Sequence, residues 1–135
     1  MADFERGQTF LDLAAINIEG STDKYYIALS NADYFDDIIV CFVFNTEHRM
    51  DKYHLGCNKD KQKFIVAPKT FSFIKDFTSI MLNKEYCYRL EEIYSNKIEL
   101  RDKADDALCR QIKNCIDWDF ITPKYAPLIK NSFKE

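Results

Sequence analysis

Apolar residues in the first half of the chain follow the two-residue period of β-strands. Residues 8–18 alternate in part, and the segments Lys24–Ser30 and Asp37–Phe44 are runs of β-branched and aromatic residues. Nearly every position of the third run is apolar, which indicates a strand buried on both faces. The intervening NADYFDD is rich in Asn and Asp, which are typical turn residues. We therefore predict three strands, the last two joined in an antiparallel hairpin.

A further hairpin and a short strand are predicted next. The segments KYHLGC and KFIVAP flank the polar NKDKQ, and Pro68 closes the second segment because proline cannot extend a central ladder. The segment Thr78–Leu82 has the composition of a last strand.

Beyond residue 82 the apolar period changes from two to about 3.6 residues. We predict a helix from the cap Asn83 through Ile93, a longer helix over about 98–117, and a terminal helix starting at Thr122-Pro123. This order, strands first and helices last, favours an α+β or mainly β fold: a small antiparallel barrel followed by C-terminal helices.

Length and composition fit a single globular domain. The chain has 135 residues, 47% hydrophobic and 30% charged, and we expect the barrel at about 7–82 and the helical part at about 83–133. With only 3 Gly and no GxGxxG or P-loop pattern, the sequence argues against a nucleotide-cradle fold. The longest apolar run is too short for a membrane span.

The cysteine pattern predicts a reducing compartment. The chain has five scattered cysteines and no signal peptide, so we expect free thiols and a cytoplasmic protein. His54 and Cys57, with His48 nearby, are zinc-ligand types, but a paired CxxC or HxxxH is lacking. We therefore predict no metal and no cofactor.

A dense polar cluster, Asn45-Thr46-Glu47-His48-Arg49, follows the third strand. In a hairpin the end of one strand lies beside the start of the other, so Lys24 and Thr46–Arg49 should converge at one rim of the sheet. The cluster is either an ordinary solvated loop or the base of a phosphate-handling pocket.

Several short motifs are similar to those of one toxin family. Gly7–Leu13 resembles an opening G-D-hydrophobic strand, with Gln8 in place of the Asp. Lys24–Asn31 resembles a second strand that begins with Arg-Pro, with Lys and Tyr replacing that pair. The third strand ends in Asn45-Thr46, and the order of elements after Thr78 also matches. The chain resembles the MazF/PemK (Kid-type) toxins.

This resemblance implies an SH3-like barrel, a homodimer, an antitoxin partner and metal-independent cleavage of single-stranded RNA. Such cleavage needs a base, an acid and cations on the phosphate. The catalytic candidates are Lys24, Thr46, Glu47, His48 and Arg49. The candidates for substrate binding are Tyr25, Tyr53, His54, Lys61 and Lys63. Lys24 lacks the bidentate fork of the family arginine, which puts catalysis in question.

Two other functions remain open. The fold is shared by gyrase-poisoning toxins that act by binding, and Trp118–Ile121 (WDFI) faintly resembles their C-terminal binding residues. The chain could also be an inactive interaction domain of phage or plasmid origin, whose basic hairpin NKDKQK binds nucleic acid.

Overall fold

The computed structural model describes residues 4–13, 16–17, 20–21, 24–32 and 37–134. Over these ranges the strands are β1 Gln8–Asp12, β2 Ile16–Asn17, β3 Gly20–Ser21, β4 Lys24–Ala28, β5 Ile38–Thr46, β6 Gly56–Asn58, β7 Lys63–Val66, β8 Thr78–Met81, β9 Tyr86–Arg89 and β10 Ile98–Lys103. The helices are α1 Leu90–Ile93, α2 Asp106–Cys115 and α3 Ala126–Ser132, with 3₁₀ turns at Lys59–Lys61 and Trp118–Phe120.

Most strands join one antiparallel sheet. Within the described residues it has eight strands in the order β10-β1-β4-β5-β8-β7-β6, with β9 also paired to β5, while β2 and β3 form a separate ladder. The long strand β5 pairs with β4 along one side and with β9 and then β8 along the other. The α+β, mainly antiparallel class is confirmed. The sheet is open, however, and the closed SH3-like barrel is not confirmed.

Strand β5 is buried on both faces, as its continuous apolar run predicts. Val40, Phe42 and Phe44 belong to the larger core, which α2 and α3 also enter. Ile39 and Cys41 belong to a second core on the opposite face. Because successive side chains of a strand point to opposite faces, a strand shared by two cores must be apolar at every position.

The predicted helix over 98–117 is wrong in its first part. Residues 98–103 form β10, which pairs antiparallel with β1, and the helix begins only at Asp106. The side chain of Asp105 accepts a hydrogen bond from the Leu108 backbone N–H and caps this helix at its start. The free edge of β1 provides a hydrogen-bonding partner for residues 98–103 that a local pattern does not reveal.

The predicted helix from Asn83 through Ile93 is also mostly wrong. Residues 86–89 form β9, and only Leu90–Ile93 is helical. Tyr86 and Tyr88 lie on one face of β9, where both rings contact Tyr26 edge-on. Their two-residue spacing was the strand signal.

The terminal helix begins at Ala126, not at Thr122-Pro123, with Pro127 in its first turn. Thr122 instead donates hydrogen bonds from its N–H and hydroxyl to the Glu85 carboxylate.

The prediction of five free thiols is wrong for one pair. Cys57 of β6 and Cys115 at the end of α2 form a disulfide, with Cα atoms 5.5 Å apart. Cys41, Cys87 and Cys109 are free, and the first and last of these are buried. The cysteine pattern therefore no longer supports a reducing compartment. Among the described residues, no helix is long and apolar enough to cross a membrane.

Candidate functional site

A cavity of about 250 Å³ lies between the start of β4, the end of β5 and the loop 67–77. Its lining comprises Lys24, Tyr25, Phe44, Asn45, Thr46, Phe73, Ile74 and Thr78. The β4–β5 register, with Tyr26 opposite Val43, explains why Lys24 and Thr46 meet there. The predicted convergence of the two strand ends therefore holds for these two residues.

One wall of the cavity consists of stacked aromatic rings. The rings of Tyr25 and Phe73 are nearly parallel, with centroids 4.2 Å apart and an interplanar angle of 4°. Phe71 stacks on Phe73 at 5.7 Å, and Phe44 contacts the same ring at a tilt. This wall presents a rigid apolar surface beside the polar strand ends.

The loop 67–77 holds Phe73 in place through its own hydrogen bonds. The Lys69 N–H donates to the Ile74 carbonyl, and Lys69 adopts a positive φ of 69° that turns the chain. The Ser72 N–H and hydroxyl both donate to the carboxylate of Asp102, on β10. The loop is thereby fixed at both its turn and its tip.

Glu47 points away from the cavity. Its carboxylate accepts hydrogen bonds from the Ser79 hydroxyl at 2.6 Å, the Lys63 ammonium at 3.0 Å and the Arg49 N–H at 3.2 Å. Burial acts to raise the pKa of Glu47, but these hydrogen bonds outweigh it and hold the pKa below its ordinary value. A carboxylate that is buried, ion-paired and acidic is a structural anchor and a poor base near neutral pH.

The remaining members of the predicted site are dispersed. Arg49 is exposed and pairs with Asp51, and His48 is exposed as well. The ring of His54 is hydrogen-bonded through Nε2 to the Cys57 carbonyl oxygen at 2.8 Å.

Two of the predicted substrate contacts, Tyr53 and Lys63, belong to the Glu47 cluster. The Lys63 ammonium lies 4.4 Å from the Tyr53 ring centroid. Burial acts to lower the pKa of Lys63, but hydrogen bonds to Glu47 and Tyr53 outweigh it and raise the pKa. Lys61 is exposed on the 3₁₀ turn. The predicted site is thus divided, and only Lys24, Tyr25 and Thr46 line the cavity.

Phe73 and Thr78 line the cavity and were not predicted from the sequence, whereas Asn45 was placed in the polar cluster without an assigned role. A signal for Phe73 existed in the segment FSF, which places two aromatic residues in a loop after Pro68. Aromatic residues in a loop often mark binding surfaces.

The cavity combines a cation, an amide, two hydroxyls and an aromatic wall. This set suits a ligand with a flat ring and a negatively charged group. Among the described residues, no group of three or more His, Cys, Asp or Glu side chains could hold a metal ion.

Comparisons with protein-family models, curated proteins and solved structures return no match to the chain. The resemblance to the MazF/PemK toxins therefore stays a prediction that depends on the sequence motifs.

Proposed function

We propose that the protein binds single-stranded RNA and holds one nucleotide in the cavity between β4, β5 and the loop 67–77. The observation that carries this proposal is the convergence of Lys24, Tyr25 and Thr46 on one cavity with a stacked aromatic wall. Proteins that bind single strands combine a cation for the backbone with aromatic side chains for the bases.

Each part of the cavity matches a part of a nucleotide. The Lys24 ammonium supplies charge for a phosphate. The Tyr25 and Phe73 rings supply the apolar surface on which a base can lie, since every base has a π-face. Asn45 and Thr46 are exposed at the end of β5, where their side chains can exchange hydrogen bonds with base edges or a 2′-hydroxyl.

Binding is a better supported function than cleavage. Glu47, His48 and Arg49 were among the catalytic candidates for the acid, the base and the cations that cleavage requires. Glu47 is committed to Lys63 and Ser79, and Arg49 is paired with Asp51. Cleavage by a MazF-type mechanism stays a prediction, which the binding experiment also tests.

The proposal extends to the fold. The hydrogen bonds from Ser72 to Asp102 connect the loop that follows β7 to strand β10. In the strand order, β10 lies at one end of the sheet and β7 lies next to the other end. We infer a curled sheet of the SH3-like kind, with the cavity beside this connection.

Fluorescence anisotropy with a labelled single-stranded RNA, in EDTA and at several salt concentrations, tests the proposal. Lys24→Ala should weaken binding and reduce the salt slope by about one charge. Tyr25→Leu should weaken binding roughly tenfold through loss of stacking. A denaturing gel of the same samples reports cleavage.

Lys59→Ala is the matched control, because Lys59 is an exposed lysine of the 3₁₀ turn, within the basic hairpin. Unchanged binding by Lys59→Ala together with losses at Lys24 and Tyr25 supports the cavity. The reverse pattern would show that the basic hairpin is the nucleic-acid surface. Equal affinity of all variants for RNA would refute the proposal.

A further inference from the structure

Strand β10 contains a β-bulge where it pairs with β1. It has one residue more than β1 between two pairs of their ladder, Gln8–Lys103 and Phe10–Leu100. A bulge places two residues of one strand opposite a single residue of its partner. Here Arg101 and Asp102 lie opposite Thr9.

Side chains of β1 hold the bulge in place. The Gln8 amide donates a hydrogen bond of 2.6 Å to the Arg101 carbonyl, and the hydroxyl of the buried Thr9 donates to the Asp102 carbonyl. Side-chain donors therefore satisfy backbone groups that the irregular ladder leaves. Bulges of this kind are common next to functional sites, where they redirect a side chain.

The bulge directs Asp102 towards the loop 67–77. Tyr25 and Glu99 share one face of the sheet because both lie opposite the same residue of β1, and the loop stacks on the Tyr25 ring. Regular alternation after Glu99 would turn the Asp102 side chain to the opposite face. With the additional residue, its carboxylate instead accepts hydrogen bonds from the Ser72 N–H at 2.6 Å and the Ser72 hydroxyl at 2.7 Å.

These two hydrogen bonds act beside the aromatic wall of the cavity. Ser72 directly precedes Phe73, whose ring lies parallel to that of Tyr25 at 4.2 Å. We propose that Asp102 is a positioning residue for the cavity: by fixing Ser72, it holds the Phe73 ring in the orientation on which a base can lie. The proposal rests on the RNA binding proposed above, and it gives a role in affinity to a residue that does not line the cavity.

The sign of the effect separates positioning from simple electrostatics. An exposed carboxylate that acted only through its charge would repel phosphates, so its removal would tighten RNA binding. Positioning predicts the reverse: Asp102→Ala should weaken binding about fivefold, within the roughly tenfold that loss of a stacking ring costs. Asp102→Asn should restore affinity, because the amide oxygen accepts from the Ser72 N–H while the amide NH₂ donates to the Ser72 hydroxyl.

A double-variant cycle tests whether the effect passes through Phe73. Anisotropy with the labelled RNA is measured for Asp102→Ala in the wild type and in a Phe73→Leu background. In that background Asp102→Ala should have no further effect, because the ring that it positions is absent. A general loss of stability would weaken both backgrounds alike. Asp76→Ala is the matched control, because Asp76 is an exposed aspartate of the same loop, and it should not weaken binding.

The outcomes distinguish this role from RNA binding itself. A wild type that binds no RNA at about 100 μM would refute the proposed function and the positioning role together. Wild-type binding that Asp102→Ala leaves unchanged or tightens would overturn the positioning role alone. An equal loss in the Phe73→Leu background, or no recovery in Asp102→Asn, would overturn it as well.

Discussion

Reduction of the disulfide between Cys57 and Cys115 should lower the free energy of unfolding by about 4 kcal/mol. The two residues are 58 positions apart, so the bond closes a long loop in the unfolded chain. The loop-entropy relation gives about 14 cal/mol/K for a loop of this length, or about 4 kcal/mol at 25 °C. This value is near the upper end for single disulfides, and for a chain of this size it corresponds to a fall in Tm of roughly 10–15 °C.

Urea unfolding of the wild type with and without dithiothreitol measures this difference. Reduction is a cleaner perturbation than mutation, because it changes no side chain elsewhere. Cys57→Ser should unfold at the same urea concentration in both conditions. Cys87→Ser, which removes an exposed free thiol, should keep the full response to reduction.

Two outcomes would contradict the reasoning. A difference below about 1 kcal/mol would mean that the unfolded chain loses little freedom through the cross-link. Titration of five free thiols in the denatured, unreduced protein would mean that the bond is absent in solution.

Two other substitutions probe named contacts. Glu47→Gln should cost about 2 kcal/mol at pH 7, because it removes the partner of a partly buried lysine. The pKa of Glu47 is held below its ordinary 4.5 in the folded protein. The ionised carboxylate therefore contributes its full stabilisation above that pH, and this stabilisation is lost as the pH falls through the pKa of the folded state. Urea unfolding at several acidic pH values should show that the stability of the variant depends less on pH than that of the wild type. Gly7→Ala should lower Tm more than Gly56→Ala: both glycines have positive φ, but only at position 7 would a Cβ lie 2.8 Å from the Ala104 carbonyl oxygen and the Cys109 sulfur. Equal losses of Tm would show that backbone strain alone sets the cost.

The local pattern of apolar residues predicts the central strand of the fold, β5. A strand that serves two cores must be apolar on both faces, and the run from Ile38 to Phe44 predicted that position correctly. The meeting of Lys24 and Thr46 also followed from sequence, because a hairpin determines which strand ends are neighbours.

Local pattern failed where a distant partner decided the structure. Residues 98–103 become a strand because the edge of β1 is open to them, and residues 86–89 because β5 pairs with them. Strand pairing depends on contacts far apart in sequence, so helical periodicity within either segment could not exclude it.

The sequence by itself determined which side chains were present for a site, and only the tertiary structure decided their directions. Thr46 and Glu47 are adjacent in the chain, yet one lines the cavity and the other is held by Lys63 and Ser79 on neighbouring strands. Likewise, nothing in the spacing of the five cysteines selects Cys57 and Cys115 as the disulfide pair. The two residues meet because the end of α2 packs beside β6. In both cases the partner comes from a remote segment, and its position exists only once the sheet and helix have packed.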